Sequence, residues 1–246
     1  MRYFIGNWKM FGVPKSINIL NKINAFLLKD KNRKKYRVII TPPYTLIETY
    51  AKYFKNKKII IGSQNCYQKE IFSSNTAAVS PYMLKSVGAK YTLVGHSDNR
   101  SEGDNNSMLK NKVQFAVKNN LKVVFCIGEN KKEKENKKTL SVLKKQLIEV
   151  LDKKLDKNKI IIAYEPIWSI GTGKTPTEYE LQNTLFQIKK VLKSIFKKSP
   201  AVLYGGSVDG NSVKMLKKIK EIDGFLIGGA SKSSKKFIDI IKNYYR

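Results

Sequence analysis

A chain of 246 residues with 41% hydrophobic and 11% aromatic content has the length for one large barrel or two small domains. It also has the apolar content for a sizeable core, which excludes a disordered chain. Its 48 basic against 19 acidic residues give a formal charge of +29, an excess that ordinarily points to nucleic acid or another anionic surface. Only Arg2, Arg33, Arg37, Arg100 and Arg246 are arginine. Nucleic-acid readers favour the planar guanidinium fork, so a lysine-dominated excess fits a codon bias at least as well as a binding face. No specific nucleic-acid partner and no membrane partner is expected, since no apolar run approaches the roughly 18 residues of a membrane span. The opening "MRYFIGNWKM" lacks the apolar core of a secretory signal, so the expected location is cytoplasmic. Cys66 and Cys126 show no paired spacing and are expected to be reduced thiols.

Taken in chain order, apolar runs of strand length occur at 3–9, 37–43, 59–65, 91–97, 122–129, 160–166, 201–207 and 224–230. They are continuous rather than alternating, as strands buried on both faces of a parallel sheet are. Helical stretches lie between them. The first opens near Pro14, where a missing N–H costs least. Others are predicted at Thr45–Phe54, Ser80–Val87, Ser107–Asn119, Thr139–Leu155, Thr177–Phe196, Ser212–Lys218 and Lys232–Tyr245. The lysine-rich 130–138 reads as solvated helical surface. Strand then helix, repeated eight times without a linker or composition break, predicts a closed (β/α)₈ TIM barrel, a single domain over 1–246. An open doubly wound sheet is the alternative.

Barrel sites are built at the C-terminal ends of the strands. Those ends carry Asn7 and Lys9, Gln64 and Asn65, His96, Glu129, Glu165, Gly205 to Ser207, and Gly228 with Gly229. His96 is the only histidine in the chain. Polar residues and glycines recurring at the same end of successive strands mark it as more than an isolated surface residue.

In order along the chain, "GNWKM", "GHS", "CIGE", "YEPIWSIGTGK", "YGGSV" and "GFLIGGAS" resemble the triosephosphate isomerase family. The likeness runs from residue 5 to residue 231, with "YEPIWSIGTGK" its most specific element. The resemblance implies interconversion of dihydroxyacetone phosphate and D-glyceraldehyde 3-phosphate through an enediolate, with no cofactor and no metal. It implies Glu165 as the base and His96 as a neutral imidazole electrophile beside a helix N-terminus. Lys9, with Asn7, would stabilise the oxyanion and bind substrate. Gly171, Ser207, Gly228 and Gly229 would cradle the phosphate. Pro166–Lys174, including Gly173 and Lys174, would form a closing lid, and Ile170 and Leu226 would clamp the base. Asp98 and Cys126 would stand behind these groups. A homodimer through loop 66–79, with Thr76 in that loop, is also implied.

The chain departs from the family pattern at several positions. Asp98 replaces a glutamate one methylene longer, so a shortened reach to Lys9 is expected. Asn99 and Ala78 replace an arginine and a glutamate that can pair across the dimer, which predicts a weaker interface. Pro176 stands at the lid's C-terminal hinge, where its missing N–H cannot meet the hydroxyl of Tyr204. Two readings from other classes stay open: a folded barrel kept for binding alone, and an anionic-surface binder using the lysines. Another barrel isomerase acting on a larger phosphorylated sugar is the nearest enzymatic alternative.

Overall fold

The computed structural model of the protein describes residues 1–246. Eight strands form one closed parallel barrel in sequence order: β1 (Arg2–Asn7), β2 (Tyr36–Thr41), β3 (Ile59–Ser63), β4 (Tyr91–Val94), β5 (Lys122–Ile127), β6 (Ile160–Tyr164), β7 (Ala201–Tyr204) and β8 (Gly224–Ile227). β8 pairs back onto β1, with Phe4 opposite Phe225. The closed-barrel expectation therefore holds and the open sheet is excluded.

Ten α-helices accompany the strands: α1 (Ile17–Lys29), α2 (Tyr44–Tyr53), α3 (Pro81–Ser86), α4 (Ser97–Ser101), α5 (Asn106–Lys118), α6 (Lys131–Glu135), α7 (Thr139–Val150), α8 (Glu178–Phe196), α9 (Ser212–Leu216) and α10 (Ser234–Tyr245). Most boundaries fall within a residue or two of the sequence reading. α7 is the clear exception, stopping at Val150 rather than Leu155. Leu151 is extended, and Asp152 turns the chain by accepting from the Lys154 N–H at 2.8 Å. A side-chain-to-backbone bond of this kind offers the chain an alternative to helix. At the C-terminus the predicted start at Lys232 is instead the end of a single 3₁₀ turn, Gly229–Lys232. α10 begins only after Ser233, whose hydroxyl accepts from the Lys236 N–H.

Apolar packing has two layers. Ten buried residues, among them Ile5, Ile39, Leu93, Val124, Ile161 and Leu203, fill the barrel interior. Fifty lie in the shell between sheet and helices, so most of the hydrophobic driving force belongs to that outer layer. It is supplied by helix stripes such as Leu181, Leu185, Ile188 and Leu192 on α8.

One polar cluster is buried in this shell. Lys112 on α5 reaches both carboxylate oxygens of Asp104, at 2.6 and 2.7 Å, and Oδ1 of Asn65 at 3.2 Å. The same Asn65 oxygen accepts from the Cys66 N–H, so the cluster roots the loop that follows β3. Both charged side chains are at most a tenth exposed. Removing one partner of such a pair leaves an uncompensated buried charge. Lys112→Met is expected to lower unfolding stability by about 3 kcal/mol or more. Lys118→Met, which breaks an exposed pair with Glu70, is expected to cost under about 1 kcal/mol. Urea denaturation of both variants checks the contrast.

Candidate active site

β4 ends at Val94, and Gly95 turns the chain so that His96 caps α4. The Asp98 backbone N–H donates to Nδ1 of His96 at 3.1 Å. An imidazole nitrogen that accepts a hydrogen bond bears no proton, so the ring is the neutral tautomer with its proton on Nε2. That Nε2 lies 3.5 Å from Oε1 of Glu165, and both side chains are about 95% buried.

Glu165 follows β6 directly, and its N–H donates to the Ile127 carbonyl at 2.8 Å. Its Oε2 is buried and has no hydrogen-bond partner. Two neighbouring glycines permit this placement. A Cβ on Gly128 would stand 1.8 Å from the Glu165 carbonyl oxygen, and one on Gly205 would stand 2.6 Å from its Cγ. The thiol of Cys126 lies behind the carboxylate, held well above its usual range by burial and by Glu165 itself.

Lys9 lies in the left-handed region at φ 53°, where a residue with a side chain is strained. Three contacts hold it there. Asn7 Oδ1 accepts from the Lys9 N–H at 3.1 Å, and Gln64 Nε2 donates to the Lys9 carbonyl at 2.8 Å. Trp8, fully buried, donates its indole N–H to the Ser231 carbonyl. The Lys9 ammonium meets Asp98 Oδ2 at 3.0 Å. The expectation of a shortened reach is therefore corrected: the α4 backbone brings the shorter carboxylate into contact with the lysine.

Asn7, Lys9, His96, Glu165, Ile170, Gly171, Gly173, Ser207, Leu226, Gly228 and Gly229 all line one cavity of about 820 Å³. Lys236, at the start of α10, lines it too and escaped sequence reading because nothing sets it apart from the other lysines. Besides Cys126, which lies behind Glu165, three site residues named from the sequence stand outside the cavity. Thr76 lies in an exposed loop. Lys174 is exposed, and its carbonyl accepts from Ser169 Oγ at 2.5 Å. Asp98 lies one contact back, behind Lys9. Sequence reading also missed Arg100, which ties the ends of β4 and β5 together by donating to the carbonyls of Gly95 and Cys126 at 2.8 and 3.1 Å.

The segment after Glu165 is anchored at its root and open at its tip. Trp168 on the turn Ile167–Ser169 donates to Oε1 of Glu129 at 2.9 Å, and Tyr164 donates to the same oxygen at 3.2 Å. Burial raises the Glu129 carboxyl above its ordinary range, and these two donors oppose that shift. Gly171 and Gly173 have φ of 70° and 74°, and open space surrounds both. Ser207 Oγ donates to the Ser169 carbonyl at 2.7 Å. With Pro176 supplying no N–H, the Tyr204 hydroxyl instead lies 3.2 Å from Ser169 Oγ.

A buried carboxylate, a neutral imidazole N–H and an ammonium thus face one small cavity. Glycine and serine backbone surrounds its other side, suited to a dianion. That is the equipment of a (β/α)₈ barrel enzyme moving protons on a small anionic substrate. The triosephosphate isomerase family model matches residues 2–244. The triosephosphate isomerases of Leptospira interrogans and Cytophaga hutchinsonii are 36% and 38% identical, covering 96% and 97% of this chain and 97% of their own. That of Saccharomyces cerevisiae is 35% identical, covering 98% of each chain. The crystal structure of triosephosphate isomerase from Bartonella henselae superposes with a TM-score of 0.90 at 30% identity, covering 100% of this chain and 99% of that one. The chain belongs to the triosephosphate isomerase family.

Both thiols are fully buried, and burial pushes Cys66 up to about 12. At pH 8 its reactive thiolate is then on the order of one part in 10⁴. The folded protein is expected to take up no iodoacetamide at pH 8 over an hour, and two equivalents once unfolded in urea. Rapid native labelling of Cys126 would show that the packing behind Glu165 is looser than described.

Proposed function

We propose that this barrel interconverts dihydroxyacetone phosphate and D-glyceraldehyde 3-phosphate by proton transfer through an enediolate. The observation that carries the reading is the Glu165–His96 pair at 3.5 Å, beside Lys9 and opposite a glycine-lined cradle. Glu165 takes the proton from the carbon next to the carbonyl and returns it to the neighbouring carbon. Its Oε2, buried and unpartnered, is free to do so. Nε2–H of His96 donates to the substrate oxygens as negative charge develops on them, and the Lys9 ammonium stabilises the same charge. Asn7 holds Lys9 and adds a donor. Gly171, Ser207, Gly228 and Gly229 bind the phosphate through backbone N–H groups.

Pro166–Lys174 closes over this assembly, carrying Ile170 toward Leu226 and Glu165. Closure excludes water and keeps the enediolate from expelling phosphate. Glu165→Gln keeps the shape of the base and removes its function. Its kcat is expected to fall on the order of 10³-fold, with KM changed far less. Steady-state isomerisation of glyceraldehyde 3-phosphate decides this. Equal, negligible rates in parent and variant would instead support a barrel kept for binding.

We further propose a homodimer through loop 66–79. Met10, Ile71, Phe72, Tyr82 and Met83 are exposed apolar residues, an unusual concentration for a free surface. A cleft of about 390 Å³ lined by Asn7, Lys9, Tyr44, Gln64 and Asn65 opens on the same side. The partner's loop, carrying Thr76, would fill it. Asn99 and Ala78 bring no charge to that contact, and each subunit carries +29. Association is therefore expected to strengthen as salt rises from about 20 to about 500 mM and screens the repulsion. Sedimentation showing a dimer equally stable at both ends of that range would refute the charge argument. No helix is long and apolar enough to cross a membrane, and both cysteines are free. These features support a reducing, cytoplasmic setting.

A further inference from the structure

The opposite mouth of the barrel, where the strands begin, holds a second concentration of charge. A cavity of about 300 Å³ there is lined by Arg37, Lys55, Lys57, Lys90 and Lys122 and by no acidic residue. None of these five cations lies within 4 Å of a carboxylate.

Two of the five, Arg37 on β2 and Lys122 on β5, rise from the barrel strands themselves. Side chains alternate between the faces of a strand. Arg37 stands two residues before Ile39, and Lys122 two before Val124, both of which fill the barrel interior. Arg37 and Lys122 therefore start from the inner face of the mouth, alongside Tyr3 and Tyr91. Arg37 is also one of only five arginines in a chain whose base is otherwise all lysine. Burial and the facing Arg37 lower the Lys122 ammonium from its usual range, and Asp156 pulls only weakly the other way. Like charges converging here with no carboxylate in contact raise the energy of the mouth, and an anion between them would remove that cost.

A second observation points inward at the same place. The hydroxyl of Tyr91, 2% exposed, is buried and lines this cavity; the side chain that approaches it, Arg37, is itself a donor, so the phenolic proton is left without an acceptor. A buried polar group left unpaired is rare in native structures and calls for a missing partner. Lys90 and Lys122 are held side by side, since the Lys122 N–H donates to the Lys90 carbonyl at 2.9 Å. Lys57 packs its ammonium 3.2 Å from the centroid of the Tyr53 ring, which keeps it at the rim.

We propose that the N-terminal mouth of the barrel is a second anion site, built for a compact chain of two or three phosphoryl groups. Five cations in so small a volume exceed what a single phosphate can neutralise. A linear polyphosphate can span Arg37 and Lys122 at the mouth and the rim lysines outside it. The Tyr91 hydroxyl would donate to one of its oxygens.

Tripolyphosphate tests this by calorimetry at about 150 mM salt, an ionic strength that screens loose surface association. Any binding at the catalytic cavity is measured separately, as competitive inhibition of isomerisation. The whole protein is expected to bind tripolyphosphate at a site additional to the competitive one. Lys90→Gln/Lys122→Gln should weaken that binding at least ten-fold, and Tyr91→Phe should weaken it several-fold, with competitive inhibition unchanged in both. Lys144→Gln/Lys145→Gln, which removes the same charge from α7, should leave it intact. Equal losses in the two charge-matched pairs would reduce the effect to bulk charge and overturn the proposal, as would binding only at the competitive site. ATP in place of tripolyphosphate separates the sources of the phosphate chain. Binding with the same loss in Lys90→Gln/Lys122→Gln admits a nucleotide, whereas tripolyphosphate binding alone restricts the site to the bare chain.

Discussion

Closing a parallel sheet on itself constrains everything else in this molecule. Every strand spends its backbone hydrogen bonds on two neighbours, so no sheet edge is left for a ligand. Every strand also runs the same way, so each return must be a crossover outside the barrel. The eight strand ends are thereby gathered into one ring. Residues as far apart in the chain as Asn7 and Gly229 meet across about 820 Å³ of space. The interior cannot serve as the site, because residues such as Leu93, Val124 and Ile161 already fill it. Chemistry is pushed to the rim, where the loops supply backbone donors and the last residue of each strand supplies a fixed side chain.

The rim must also keep a carboxylate usable in a chain carrying +29. In the open, Glu165 would meet one of many lysines. Instead no lysine or arginine lies within 4 Å of it, and the group that does is His96, a neutral ring whose Nδ1 accepts from the backbone of α4. The nearest catalytic-side lysine, Lys9, is occupied by Asp98 at 3.0 Å. Glu129, on the adjacent strand end, shows the other use of a buried carboxylate. It accepts from two neutral donors, Tyr164 and Trp168, and through Trp168 it fixes the root of the lid. Two acidic groups one strand apart thus divide the work by what they touch: one faces the cavity with an oxygen free, the other is tied to the framework.

Which of this was legible in the sequence follows from the range of the forces involved. Strands and helices announce themselves through local periodicity, and the end of a strand is a local fact too. His96, Glu165 and Lys9 could therefore be picked out before any contact was known, with the family resemblance supplying their roles. Arg100 could not. Its importance comes from reaching carbonyls on two strands, and no neighbouring residue encodes that. The same is true of Gly128, which matters only because the Glu165 carbonyl approaches it from β6. Asp98 was misjudged for a related reason. Side-chain length was legible, but the path of α4, which carries the carboxylate to the lysine, was not. α7 was overrun because its apolar spacing continues past Val150, whereas the Asp152 turn that ends it is a single hydrogen bond.

The lid combines the two kinds of constraint. At one end Trp168 is held by Glu129, with the Lys134 ammonium 3.6 Å from the centre of its indole ring. At the other, Thr177 caps α8 and Glu180 returns the bond to the Thr177 N–H at 2.9 Å, a reciprocal arrangement that pins the helix start. Between these anchors, Gly171 and Gly173 adopt backbone angles that a side chain would strain, in open space. The anchors thus leave the backbone free of packing only at a short glycine-bearing tip, the part that the proposed closure would carry over the cavity. Pro176 removes an N–H from one hinge, and Ser169 brings a hydroxyl to the other. That hydroxyl donates to the Lys174 carbonyl and lies beside Tyr204. Both features act on the same segment: where proline supplies no N–H, the Ser169 hydroxyl links the two ends of the segment directly through the Lys174 carbonyl.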